Sequence, residues 1–442
     1  MTEILQVIIQ LFIFHLLFFF PITPFIAQRF SIFKNIDIYT LLIVNIIFHL
    51  FIYLIVSFLK INLKYFFIIL IVSSCFFLIV NFKFNVQFFI KKIDKLFLCF
   101  LTINLCIFFN STANLILGWD GVSHWIYKAS AFYQGLGFVN VGATTYPHLP
   151  GFVWGFFWKN SIVDKEYVGR FFLIFFYLTS IFYSLNFFKK KIKDEFKILF
   201  IFLIIFLTYD RSLFGGYNDY YIFSLLIFCS GLLYCIFNEK SGEHNGYFVY
   251  LILFHISSHL LLWTKQEGTF WSIILVAILI FFKRGVFNKI IHFFILLVSL
   301  SFFLILKYYF YKTIALAYNL SINEALSSIT FKNIIFNLSA ITYYLIVSFF
   351  KYPVWLLIIT FFSIVKVSKY ELKNYKIFLL FLLLNITFLY LLMMHFALTN
   401  EKNLFELVLR VSFDRIVLQS SGFYLVLLIL ILNHNFLNSK KN

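Results

Sequence analysis

The sequence predicts an all-α polytopic membrane protein with about 13 transmembrane helices. Of its 442 residues, 62% are hydrophobic and 12% are charged, and the mean hydropathy is +0.95. Soluble domains are nearer to half apolar and a quarter charged. The apolar runs are continuous for about 20 residues and lack the alternation of barrel strands. These observations exclude a soluble enzyme, a nucleic-acid binder, a disordered chain and an outer-membrane barrel.

The predicted spans follow from the apolar runs, which divide the chain into three regions. Residues 1–95 hold N-terminal transmembrane helices, 96–437 form the main membrane domain with a long outer loop at 114–169, and 438–442 form a cytoplasmic tail. Runs long enough to cross a bilayer fall roughly at 4–27, 38–59, 65–82, 96–113, 170–188, 196–210, 218–237, 247–264, 267–283, 289–311, 353–368, 376–398 and 415–437.

A lysine-rich segment between two runs sets the orientation. Its lysines stand at positions 189, 190, 191, 193 and 197. Cytoplasmic loops of membrane proteins carry an excess of Lys and Arg, so this segment is predicted to be cytoplasmic. Alternating outward from it places the loop 114–169 and the segment 312–352 on the outer side.

The outer loop begins with Trp119-Asp120-Gly121, directly after the fourth run. Apolar residues then follow at 122, 125, 129, 132, 133 and 136, which is helical spacing. This pattern predicts an amphipathic helix over 121–136, lying on the membrane and carrying His124 and Lys128. Two compatible roles are open for Asp120: it caps the helix, or it deprotonates an acceptor hydroxyl as a general base.

Two further motifs follow in the same loop. Tyr146-Pro147-His148 opens an apolar stretch, 146–159, that is too short to cross and is expected to lie in the interface. His148 either contacts a phosphate or substrate, or is a structural hydrogen-bonding residue. Glu166 and Arg170 stand at the mouth of the fifth run, where the alternative to ligand binding is a local ion pair.

Three charged residues lie at the ends of later runs. Asp219 falls about one residue inside a run, where an idle carboxylate is disfavoured. Lys265 and Glu267 occupy a very short turn between two runs, so this turn is predicted to lie near membrane level. A solvated, charged turn is the alternative interpretation.

Arginine is rare in the chain, which contains it at positions 29, 170, 211, 284, 410 and 415. Arg410 and Arg415 lead into the last run. Because Arg binds phosphate in a bidentate manner and Lys acts as a point charge, a retained Arg indicates a geometric requirement. Together these residues predict an outer cavity at membrane level for a substrate with a lipid tail and a phosphate head.

This arrangement resembles the polytopic GT-C glycosyltransferases, in the bacterial branch related to the protein O-mannosyltransferases and the lipid A aminoarabinose transferases. The likeness spans roughly 96–437 as ordered short motifs. They are Trp119-Asp120, the helix 121–136, Tyr146-Pro147, Glu166 to Arg170, Thr264-Lys265-Gln266-Glu267-Gly268 and Ser412-Phe413-Asp414-Arg415.

The resemblance implies a GT-C-like catalytic membrane domain. Its reaction would be an inverting transfer of a sugar from a polyprenyl-phosphate donor to a lipid, glycan or protein acceptor. No nucleic-acid partner is expected. It makes Asp120 the base and assigns the donor phosphate to Arg415, Arg410 or Lys265. The other implied substrate-binding residues are His124, Lys128, Tyr146, His148, Arg170, Asp219 and Glu267. The resemblance leaves open whether a divalent metal is bound. Many relatives carry two adjacent acids where this chain has Asp120-Gly121, so Asp219 or Glu267 would have to be the second metal ligand.

Two other functions are compatible with the same sequence. A transporter or flippase of lipid-linked sugars would need charges deep within spans, or repeat symmetry. A glycan ligase or polymerase would use the same class of donor. In each case the protein is expected to be a multi-pass protein of a bacterial cell membrane, with its active face on the periplasmic or extracytoplasmic side and membrane lipids around it.

Overall fold

The computed structural model describes residues 2–18, 37–80, 93–113, 115–136, 146–209, 215–238, 244–282, 286–311, 331–351, 372–399 and 402–438, with Leu213 and a few positions in 82–90. Within these residues every regular element is a helix, as the sequence predicts. The predicted run 353–368 and the final residues of the tail, 439–442, lie outside the described residues.

The α-helices of the described residues are numbered here in chain order. They are α1 Thr2–Phe18, α2 Ile38–Phe58, α3 Leu63–Val80, α4 Lys95–Ala113, α5 Ile126–Gln134, α6 Leu149–Lys159, α7 Tyr167–Ser184, α8 Asp194–Thr208, α9 Asp219–Asn238, α10 His244–Leu262, α11 Gln266–Phe282, α12 Val286–Tyr311, α13 Phe331–Lys351, α14 Leu372–Thr399 and α15 Lys402–Asn438. A π-helical segment, Gly121–Trp125, precedes α5, and a 3-10 turn, Leu185–Phe187, follows α7.

Seven helical segments among the described residues are long and apolar enough to cross a membrane, as expected of a multi-pass membrane protein. They are Ile38–Phe58, Leu63–Val80, Lys95–Thr112, Tyr167–Phe187, Asp219–Asn238, Asn288–Phe310 and Phe413–Asn433. Five further apolar helices are shorter, and α8 has 15 residues. The predicted count of about 13 is not confirmed, because these five helices and α8 are too short in the described residues and the run 353–368 lies outside them.

The centre of the bundle is formed by α7, α9 and the second half of α15. The segment Tyr167–Phe187 is enclosed by other helices along its whole length. Helix α9 packs on α7, α10 and α15, and α7 also contacts α2, α4 and α6. By contrast, Leu63–Val80 and Asn288–Phe310 are mostly unburied, as expected of helices that face lipid. Two charged residues described below belong to these helices: Asp219 is the first residue of α9, and Arg415 lies within α15.

One end of this central group carries the lysine-rich segment. Asn433, near the end of α15, accepts a hydrogen bond from the backbone N–H of Lys189 at 3.0 Å and donates one to the carbonyl of Phe187 at 2.7 Å. Arg415 lies 18 residues earlier on the same helix, which corresponds to about 27 Å at 1.5 Å per residue. Arg415 and the lysine-rich segment therefore lie at opposite ends of the bundle.

The predicted outer loop, 114–169, contains helices that pack against each other and against the bundle. The predicted helix over 121–136 is present as the π-helical segment and α5, which ends at Gly135 with φ +80°. Trp125, Ala129 and Phe132 of the predicted apolar stripe are buried in an element packed against α6, whereas Val122 and Leu136 are exposed. Helix α6 is buried against α2, α5 and α7, so protein covers most of the predicted interfacial stretch 146–159.

Candidate functional site

The candidate site is built around the carboxylate of Asp219, the first residue of α9. The Asp219 residue is 1% exposed, and both of its oxygens are bonded. Oδ1 accepts from Lys265 Nζ at 2.8 Å and from Gln419 Nε2 at 2.5 Å. Oδ2 accepts from Arg415 Nε at 2.8 Å and lies 2.7 Å from Arg415 Nη2. A buried carboxylate is stable in such a place because its charge is paired and its lone pairs are used.

Arg415 joins Asp219 to the first motif of the outer loop. Its Nη2 also donates to Oδ2 of Asp120, a residue that is 6% exposed. The guanidinium carbon lies 4.4 Å from the centre of the Tyr217 ring, within cation–π distance. One planar group thus contacts two carboxylates and an aromatic face, a geometry that the single ammonium of Lys does not offer.

Lys265 supplies the second cation of the cluster. It lies in the three-residue connection between α10 and α11 and is 4% exposed. Its Nζ is 3.4 Å from Oε1 of Glu267. Burial and the nearby Arg415 act to lower the pKa of Lys265, but Asp219, Glu267 and Asp120 together outweigh them and raise it. Lys265 therefore stays protonated, and the interpretation of this turn as merely solvated is wrong because the turn is buried.

We refer to Asp120, Asp219, Lys265, Glu267 and Arg415 as the ionic cluster. Its acids exceed its bases by one. The sequence analysis selected each of these residues, and the structure brings them into one group of ion pairs.

Three neutral residues that support the cluster were not predicted. Gln419 bonds Asp219 through Nε2, and its Oε1 accepts from Trp271 Nε1 at 3.0 Å. Tyr217 stacks on Arg415 and accepts, through its hydroxyl, from the backbone N–H of Trp119 at 3.1 Å. The sequence signal for Gln419 was its position four residues after Arg415, on the same helix face.

Glycine contacts place Asp120 beside Asp219. The backbone N–H of Gly118 donates to the carbonyl of Gly215 at 2.9 Å. A Cβ on Gly121 would lie 2.2 Å from that same carbonyl oxygen, so a side chain at this position would collide with backbone. Gly216 has φ +79°, a left-handed conformation that glycine adopts without strain. The loop before α9 and the start of the π-helical segment therefore approach more closely than larger residues would allow.

Asp120 is not a helix cap. It already has helical dihedral angles, φ −63° and ψ −38°, and its side chain makes no capping hydrogen bond. Its carboxylate contacts Arg415 instead. The capping alternative was wrong because a partner 295 residues away in the sequence competes for the carboxylate. The π-helical turn that follows is a rare element that is often found at functional sites.

His124 and Lys128 follow Asp120 on one face of this helix. The His124 ring lies 4.8 Å from the Tyr146 ring and 5.4 Å from the Trp119 ring. Burial lowers the pKa of His124; Asp120 opposes this, and Lys128 and Lys265 add to it. His124 is therefore neutral near pH 7.

Lys128 links this helix to the predicted Tyr-Pro motif. The side chain of Lys128 is fully buried, and its Nζ donates to the carbonyls of Tyr146 and, at 3.2 Å, of Pro147. Burial, with a smaller contribution from Lys307, holds the pKa of Lys128 well below its usual range. Lys128 thus orders the loop segment whose Tyr146 ring packs against His124.

The remaining predicted site residues, His148, Arg170 and Arg410, make no described contact with the ionic cluster. His148 is 1% exposed, and its Nε2 lies 2.7 Å from the Ser57 hydroxyl, so the structural alternative describes its observed contacts. Arg170 pairs with Glu166 at 3.0 Å, four residues earlier, which is the predicted local ion pair. Burial raises the pKa of Glu166, and Arg170 opposes that shift. Arg410 lies in α15, but its side chain is outside the described residues.

No group of three His, Cys, Asp or Glu side chains that could hold a metal ion occurs among the described residues. The carboxylates of Asp120 and Asp219 instead both contact Nη2 of Arg415.

Comparison with known proteins gives no relative for this arrangement. The chain matches no protein-family model, no curated protein and no solved structure.

Proposed function

We propose that the protein is an inverting glycosyltransferase that moves a sugar from a polyprenyl-phosphate donor to a lipid, glycan or protein acceptor on the outer side of a bacterial cell membrane. The observation that carries the proposal is the pairing of Arg415 with both Asp120 and Asp219 beside Lys265. Two buried cations next to two carboxylates suit a reaction in which a phosphate leaves and a hydroxyl loses a proton.

The position of the cluster supports an enzyme more than a transporter. Arg415 lies about 27 Å along α15 from Asn433, which contacts the lysine-rich segment. If that segment is cytoplasmic, the cluster lies at the outer end of the bundle. A flippase would need its charged groups along a path through the membrane midplane. A polymerase or ligase using the same donor class stays compatible with this position.

The proposed reaction begins with the donor phosphate binding to Arg415 and Lys265. A phosphate offers two oxygens to a guanidinium, and Asp120 offers Arg415 only one, so the contact between Arg415 and Asp120 opens while Asp219 keeps its bond to Nε of Arg415. Asp120 then becomes available as a base. The acceptor oxygen bonds to the anomeric carbon, the bond from that carbon to the phosphate oxygen breaks, and polyprenyl phosphate leaves with the electron pair. The acceptor proton passes to Asp120.

A complementation experiment tests this function. A strain lacking the gene is expected to lose one sugar from a surface glycan, lipid or protein, as measured by mass spectrometry of the isolated material. The wild-type gene should restore the sugar, whereas Asp120→Asn should reduce it at least 100-fold, because one general base contributes about 10²–10⁴ in rate. Protein insertion is checked by the amount of protein in the membrane.

The matched control is Asp164→Asn in the same loop. Asp164 is exposed and accepts a hydrogen bond from the Tyr133 hydroxyl at 2.9 Å, outside the ionic cluster. This variant should restore the sugar fully. Full restoration by Asp120→Asn would remove the base assignment, and an unchanged set of surface sugars in the deletion strain would contradict the transferase proposal.

A further inference from the structure

Several buried polar atoms beside the ionic cluster have no hydrogen-bond partner among the described residues. They are both ring nitrogens of His124, Nε1 of Trp125, Nδ2 of Asn218 and Oε2 of Glu267. Burying a donor or acceptor without a partner is unfavourable, and folded proteins contain few such groups. A concentration of these atoms next to a charged cluster therefore indicates partners supplied by a ligand.

Two of these residues are joined directly to the cluster. Asn218 is 2% exposed and immediately precedes Asp219. Glu267 directs Oε1 at Lys265, at 3.4 Å, which leaves Oε2 as the unfilled acceptor. The chain segments that hold Asp219 and Lys265 therefore each add one polar atom without a described hydrogen-bond partner next to a residue of the ionic cluster.

The π-helical segment adds further atoms without a described hydrogen-bond partner, the two ring nitrogens of His124. His124 lies one helical turn after Asp120, which immediately precedes this segment. The rings of Trp119 and Tyr146 hold the imidazole by aromatic contact, without using its nitrogens. Trp125, the next residue, is fully buried, and its indole N–H has no hydrogen-bond acceptor among the described residues. Trp119 itself is 69% exposed and offers a free aromatic face.

We propose that His124, Trp125, Asn218 and Glu267 form a subsite for the hydroxyl groups of a neutral sugar ring, next to the phosphate site; this rests on the proposed function. Asn218 Nδ2 and Trp125 Nε1 donate, Glu267 Oε2 accepts, and a neutral imidazole does both. Sugar hydroxyls also donate and accept, so they match this set. A carboxylated sugar does not, because Glu267 would repel it.

The test compares two lipid probes in nanodisc-embedded protein. One probe is bare polyprenyl phosphate, and the other is a panel of short-chain polyprenyl-phosphate pentoses, hexoses and uronic acids. The wild type should bind at least one neutral sugar-bearing lipid about tenfold or more tightly than the bare lipid, and the uronic acids no more tightly. His124→Phe, Trp125→Phe and Asn218→Leu should each remove most of this difference while leaving affinity for bare polyprenyl phosphate unchanged.

The thermal unfolding midpoint separates binding from structure. His124→Phe is the decisive variant, because it removes two ring nitrogens without a described protein partner and keeps an aromatic ring, so its midpoint should equal or exceed that of the wild type. Trp125→Phe also removes buried ring volume, so its midpoint should be lower. Tyr53→Phe is the matched control, because the Tyr53 hydroxyl is also buried and unfilled but lies in α2. It should change neither affinity.

The outcomes distinguish the two proposals. The subsite is overturned if the three variants keep the preference for the sugar-bearing lipid, or if His124→Phe loses stability in step with that preference. A wild type that binds the sugar-bearing lipids no more tightly than bare polyprenyl phosphate also overturns the subsite and leaves the phosphate site standing. A wild type that binds none of the probes overturns the proposed function together with the subsite.

Discussion

At the scale of single residues, the contact with Arg415 determines whether the carboxylate of Asp120 is available as the candidate base. Arg415 shares its guanidinium between Asp120 and Asp219, and its face is covered by Tyr217. Asp219 contacts both Nε and Nη2 of Arg415, whereas Asp120 contacts Nη2 alone. In the proposed reaction, a phosphate that binds the same guanidinium therefore competes first with Asp120.

This competition predicts an unusual effect of Asp120→Asn on ligand binding. Removing the charge of Asp120 weakens its hold on Arg415, so bare polyprenyl phosphate should bind about tenfold more tightly, equivalent to about 1.4 kcal/mol. The measurement is a titration of the nanodisc-embedded variant with the lipid. Asp164→Asn should bind as the wild type does. Weaker or unchanged binding by Asp120→Asn would show that Asp120 does not compete for Arg415.

At the scale of elements, the close approach of the π-helical segment to the loop before α9 positions the cluster. The contact depends on Gly121, whose Cβ would lie 2.2 Å from a backbone oxygen, and on the hydrogen bond from Gly118 to Gly215. Backbone cannot rotate away as a side chain can, so a larger residue must separate the two segments. Asp120 and Asp219 would then no longer share one guanidinium.

Gly121→Ala should accordingly weaken both stability and transfer. Overpacking of this kind costs about 1–3 kcal/mol. We expect a lower thermal unfolding midpoint and a loss of sugar transfer in the complementation assay. Val122→Ala, at the exposed neighbouring position, is the control and should behave as the wild type. Unchanged activity in Gly121→Ala would show that the close approach is dispensable.

The same elements show what the sequence could and could not predict. Asp219, Lys265 and Arg415 were identifiable because a charge at the end of an apolar run is expensive unless it is used. Gln419 and Trp271 were not, since a neutral polar or aromatic residue within an apolar run carries no comparable signal. The pairing of Asp120 was also hidden, because local spacing predicts a cap and contains no information about a partner in the last helix. Most predicted span boundaries agree with the observed helix ends within a few residues, whereas α15 begins at Lys402, well before the predicted run at 415.

At the scale of the whole molecule, the bundle has two chemically different ends. Helix α7 has the exposed acid Asp164 near its start and the lysine-rich segment after its end. The contact between Asn433 and Lys189 fixes the end of α15 at the lysine-rich side. The ionic cluster is thereby separated from that side by the length of the central helices.

Cysteine labelling tests the orientation of these ends. In a background without the native cysteines, Asp164→Cys should react with a membrane-impermeant maleimide in intact cells. Lys190→Cys, also at an exposed position, should react after the membrane is permeabilised. The two labelling patterns are read by gel shift, with permeabilised cells as the control for reactivity. Labelling of both positions in intact cells, or the reverse pattern, would contradict an outward-facing cluster.

The contact between Arg415 and Asp120 also has a consequence for biosynthesis. Its partners are 295 positions apart, and the guanidinium belongs to α15, which follows every other helix of the cluster in the chain. Until α15 inserts, Asp120 and Asp219 lack this arginine, so the part of the cluster already present holds Asp120, Asp219 and Glu267 against Lys265 alone. The pocket is therefore completed only after α15 has joined the bundle.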